Sequence, residues 1–125
     1  MPRSTRSKRL VVRVWRTKID ERRAPEYERF ARERSVPMFQ AHEGFVGVLF
    51  TRSGQHCAVI TLWAGPEYVE RLETSTHYKR TVSDISATRF LIGPSSVEVF
   101  ELHGGALDPA ALAAAGVTLP STPAA

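Results

Sequence analysis

Phe45-Val46-Gly47-Val48-Leu49-Phe50-Thr51-Arg52 and Cys57-Ala58-Val59-Ile60-Thr61-Leu62-Trp63 are two apolar runs joined by the short link Ser53-Gly54-Gln55-His56. β-Branched and aromatic residues on either side of a glycine-containing link predict an antiparallel hairpin. In the second run both parities are apolar, with Ala58, Ile60 and Leu62 alternating with Cys57, Val59 and Trp63. A sheet with one face in water would carry polar side chains on one parity, so both faces are expected to be covered. Helices can cover one face, and the other needs a partner.

Working outward, Leu10-Val11-Val12-Arg13-Val14-Trp15-Arg16 predicts a strand before the hairpin. Between them, after the polar Thr17 to Arg23, Pro25 suits a first helical position, and Tyr27, Phe30, Ala31 and Arg34 follow at helical spacing. Pro37 is expected to kink or end that helix, with a restart over Met38 to His42 and a cap at Gly44. After the hairpin, Gly65-Pro66-Glu67 predicts a helix start, with Val69, Leu72 and Thr76 on one face. A further helical stretch carries Tyr78, Val82 and Ile85 toward Phe90, and Gly93-Pro94 ends it. Val97 to Leu102 alternates as a fourth strand. The order βαββαβ defines an α+β, ferredoxin-like antiparallel sheet over residues 10–103.

The 125 residues, 42% hydrophobic and 24% charged, fit one globular domain. The net charge of +4 comes entirely from Arg3, Arg6, Lys8 and Arg9 in the first nine residues, read as a disordered arm. The domain behind it is neutral, so a nucleic-acid partner is not expected. Residues 104–125 hold eight Ala and three Pro, read as a loosely ordered tail with one short helix over Pro109 to Ala115 that docks on a partner. Apolar stretches fall short of the roughly 18 residues that span a bilayer, so no membrane association is expected and the setting is read as cytoplasmic. The single Cys57 excludes an internal disulfide framework and multi-cysteine metal sites, and its apolar surroundings predict an inert thiol.

Pro37 ahead of His42-Glu43-Gly44-Phe45, the strand end Leu62-Trp63, Ser75-Thr76-His77-Tyr78, and Gly93-Pro94 before Val97-Glu98-Val99-Phe100 together resemble the antibiotic biosynthesis monooxygenase family of the dimeric α+β barrel superfamily. The resemblance spans roughly residues 9–103. It implies a homodimer packed sheet against sheet, which would supply the missing cover. It further implies a cavity between sheet and helices, where an aromatic, polyketide-like or quinol-like molecule is oxidised by dioxygen with no metal or cofactor. Such chemistry needs deprotonation of the substrate, an apolar pocket and stabilisation of the anion.

The residues proposed for these tasks are His77 as base, with Tyr78 and Trp63 beside it, and Trp15, Arg52, Phe30 and Leu72 as substrate contacts. Each has an ordinary structural alternative: core packing for the tryptophans and Tyr78, a local surface role for His77, and a solvated turn for Arg52. Convergence of His77, Trp63 and an Arg or Tyr on one apolar cavity would favour turnover. A solvent-facing His77, with Phe30, Leu72 and Ile85 filling the space below the helices, would favour a non-catalytic, ligand-binding or stress-associated dimer.

The related haem-degrading monooxygenases use a first-strand Asn, a helical Trp and an axial His. Counted without gaps, these fall near Val14, on Leu72 and on Val82. Haem degradation is therefore not expected, while haem binding through His77 stays open. No P-loop, GxGxxG or GxSxG motif is present, and His42, His56, His77 and His103 lack metal-ligand spacing.

Overall fold

A computed structural model describes residues 9–120. The basic arm proposed for residues 1–9 lies outside them except for Arg9, which pairs with Glu101 at 2.7 Å. Strand β1 (Val11–Lys18) leads through a 3-10 turn (Glu21–Arg23) into α1 (Ala24–Phe30), a π-helical stretch (Ala31–Ser35) and α2 (Val36–Gln40). Strands β2 (Phe45–Ser53) and β3 (His56–Trp63) form the expected hairpin. Helices α3 (Pro66–Thr74) and α4 (Thr76–Ala87), strand β4 (Ser96–Glu101) and the short α5 (Pro109–Ala114) complete the chain. The sheet order is β2-β3-β1-β4 with every neighbouring pair antiparallel, an α+β ferredoxin-like arrangement.

Two helix boundaries differ from expectation. Pro37 neither kinks the helix to a stop nor forces a restart, because the preceding turn widens: the amide of Val36 donates to the carbonyl of Ala31, five residues back. That π register accommodates a proline that would otherwise clash with the carbonyl four residues earlier. Helix α4 stops at Ala87 rather than near Phe90, because Arg89 adopts φ +64°. Between α3 and α4, Ser75 is extended and its hydroxyl caps α4 by accepting from the amide of Tyr78.

The register divides the sheet into two faces. Val11, Arg13, Trp15 and Thr17 pair with Trp63, Thr61, Val59 and Cys57 and face the helices. There Met38, Phe39, Val59, Trp63, Val69 and Leu72 form one core cluster, and Ile19, Tyr27, Cys57, Ile85 and Phe90 a second. Each buried Val, Leu or Phe contributes about 1.5–3 kcal/mol. On the opposite face Ala58, Ile60 and Leu62 are only half-buried and Phe100 is exposed. The helix layer is tied to the sheet at Gly44, whose φ of +85° and contact with the Tyr68 ring leave no room for a Cβ.

Candidate active site

On the helix side Val97 and Val99 of β4 pair with Trp15 and Arg13 yet remain 41% and 47% exposed. A cleft of about 710 Å³ opens there, walled by Trp15, Val69, Glu73, Tyr78, Val82 and Val97 among others. It shares Arg13, Trp15, Tyr78 and Val82 with a smaller apolar chamber of about 50 Å³ on the side of α1 and α2.

Arg13 stands at this junction with only 2% of its surface exposed. Its Nε donates to Glu73 Oε2 at 3.1 Å and its Nη2 to the Tyr78 hydroxyl at 2.8 Å. Among the described residues Nη1 has no partner, while no fully buried side-chain nitrogen or oxygen is left without one. Arg13 lines both cavities. A guanidinium in a cavity wall is chemically able to receive an oxyanion, since charge-assisted hydrogen bonds are the strong ones.

Tyr78 is held in place from behind. His42 Nδ1 lies 2.8 Å from the carbonyl of Met38 and its Nε2 2.7 Å from the Ser75 hydroxyl. A carbonyl only accepts, so Nδ1 carries a proton, and Nε2 hydrogen-bonds with the Ser75 hydroxyl. Ser75 accepts in turn from the Tyr78 amide at 3.1 Å. The link fixes the first turn of α4 against the end of α2. Because the Tyr78 hydroxyl accepts from Arg13, its own proton is free to donate toward the cavity.

The sequence-derived candidates separate into two groups. Trp15, Tyr78 and Phe30 line the cavities. His77 does not: it is exposed, stacks on His42 with ring centroids 5.5 Å apart, and lines neither of these two spaces. Trp63 is fully buried with its indole N–H donating to the Thr61 hydroxyl at 2.7 Å, and Leu72 is fully buried core. Arg52 bonds the carbonyl of Gly54 and the carboxylate of Glu28 at the hairpin end and lines neither cavity. His56 and His103 are exposed.

Arg13 and Glu73 were not among the candidates. The available signal was a charged residue sharing strand parity with Val11 and Trp15. Next to the chamber, burial and the neighbouring Cys57 thiol push the Tyr27 hydroxyl up from its ordinary pKa, and burial also raises Cys57. Both stay protonated, which makes Cys57 a packing residue. Among the described residues no cluster of three His, Cys, Asp or Glu side chains could hold a metal ion.

The fold is that of antibiotic biosynthesis monooxygenases. SnoaB, a cofactor-independent oxygenase from Streptomyces nogalater, superposes with a TM-score of 0.62 at 19% identity over 78% of this chain and 96% of its own. The ActVA-Orf6 monooxygenase of Streptomyces coelicolor, solved with nanaomycin D, gives 0.66 at 13% identity over 86% and 99%. A protein of unknown function from Nitrosomonas europaea gives 0.66 at 12% identity over 82% and 98%. No protein-family model matches the sequence, and no curated protein does.

Proposed function

We propose that the cleft binds a small aromatic molecule with an acidic hydroxyl and that the protein oxidises it with dioxygen, as a cofactor-independent monooxygenase. The observation that carries this reading is the buried Arg13 guanidinium, bonded to Glu73 and Tyr78, on the wall of a cleft whose other lining combines the apolar Trp15, Val69, Val82, Val97 and Val99 with the charged Glu70 and Lys79. Arg13 stabilises the phenolate, Tyr78 donates to a second ligand oxygen, and Glu73 accepts the proton. The phenolate passes one electron to dioxygen, and the resulting radical and superoxide combine to form a ring C–O bond. Loss of water breaks the O–O bond, so one oxygen atom ends in the quinone and the other in water, which also carries both departing protons. SnoaB and ActVA-Orf6 support this reading by their shared fold.

The same reading makes the protein a cytoplasmic homodimer, joined through the face bearing Ile60, Leu62 and Phe100. Sedimentation is expected to give twice 13.9 kDa. Oxygen uptake with a panel of hydroxynaphthalenes and quinols under ¹⁸O₂ tests the activity: uptake with one labelled oxygen in the quinone supports it, and no uptake with any member rejects it. A second reading, a ligand-binding protein without turnover, is favoured by the solvent-facing His77, which leaves the cavities without a histidine.

A further inference from the structure

The 50 Å³ chamber lies beside the cleft and is walled by Phe30, Ala31, Met38, Phe39, Phe50 and Val59 together with the shared junction residues. An aromatic ring does not fit it: a dry cavity that accepts benzene measures ~150 Å³. Water is poorly served there, because a buried water needs two to four polar partners. Nearly all of the chamber's surface is apolar, and the hydroxyl of Thr81 on its wall is already committed to the carbonyl of His77 at 3.1 Å. What fits is a small apolar molecule. The chamber meets the cleft at Arg13, Trp15, Tyr78 and Val82, the residues against which an aromatic ligand would lie.

We infer that the chamber is a dioxygen site, separate from the aromatic cleft and opening onto it beside Tyr78 and Arg13. The inference rests on the oxygenase reading for its biological meaning, but the occupancy of the chamber is testable without turnover. Apolar walls favour dioxygen over water, and the position delivers it to the edge of a ring held in the cleft. Superoxide formed there would sit near the Arg13 charge, which stabilises the developing anion.

The experiment is a crystal of the full chain pressurised with xenon, an apolar probe of similar size. One xenon atom bounded by Ala31, Phe39 and Val59 is expected, and ordered water in the chamber with no xenon would overturn the inference. In solution, Ala31→Val narrows the chamber, and circular dichroism checks that the variant is folded. If a quinol is turned over, this variant should raise the KM for dioxygen severalfold and leave the KM for the quinol unchanged. An unchanged dioxygen KM in a variant shown to exclude xenon would remove the supply role. If no quinol is oxidised, xenon binding still decides whether the chamber takes a small apolar gas, so failure of the oxygenase reading and failure of the gas site are told apart.

Discussion

Arg13 on β1 and Tyr78 on α4, 65 residues apart in sequence, meet in a hydrogen bond of 2.8 Å at the junction of the two cavities. Strand and helix are thereby coupled where a ligand would bind. Tyr78→Phe removes the acceptor of a charged donor. It is expected to cost about 1–3 kcal/mol in urea unfolding and to weaken binding of 1-hydroxy-2-naphthoate. Unchanged values on both measurements would contradict the coupling.

His77→Ala is expected to leave naphthoate affinity and any oxygen uptake within about twofold of wild type, since surface substitutions usually stay within ±0.5 kcal/mol. His77 touches His42 and neither cavity. A large loss of uptake, with folding intact, would return the base role to this residue.

Gly44→Ala combines two penalties at one position. The backbone is at φ +85°, and a Cβ would sit 2.1 Å from the Tyr68 ring. A destabilisation of about 1–3 kcal/mol or more is expected from the strained backbone alone. Thermal unfolding measures it, and Gly44→Ala with Tyr68→Ala should recover only the part due to the ring.

Stability is expected to decline at alkaline pH. Tyr27 and Cys57 are held protonated in the folded chain, with pKa values above their ordinary ones. Unfolded, they ionise near about 8.5 for the thiol and about 10 for the phenol. Above those values the unfolded chain binds fewer protons than the folded one, so unfolding free energy falls as pH rises. The contribution is fully present below about pH 8 and is lost above it. Cys57→Val should flatten the first part of the decline, measured by urea titrations across pH 7 to 11.

Much of the fold is legible in the hairpin and its flanks, because strand parity and the Gly and Pro punctuation act over a few residues. The exceptions have local causes: Pro37 is absorbed by a π turn that leaves no compositional mark, and Arg89 ends α4 in a left-handed conformation. The site is less legible. A charged residue in a strand reads as solvent-facing, and Arg13 is buried only because Glu73 and Tyr78 arrive from 60 and 65 residues away. Adjacent helical residues point about 100° apart, so whether His77 or Tyr78 turns inward depends on helix phase. The break at Ser75 resets that phase, and the link through His42 fixes it.

The most direct test of the central claim is a calorimetric titration of 1-hydroxy-2-naphthoate into wild type and Arg13→Met, with folding of the variant checked by circular dichroism. Methionine approximates the volume, and replacing a buried charge by an apolar side chain is often tolerated. The wild type is expected to bind, and the variant to lose about 10-fold or more, the equivalent of one charged hydrogen bond of about 1.5–3 kcal/mol. Equal affinity in the two proteins would contradict the assignment of Arg13 as the group that receives the ligand's oxyanion.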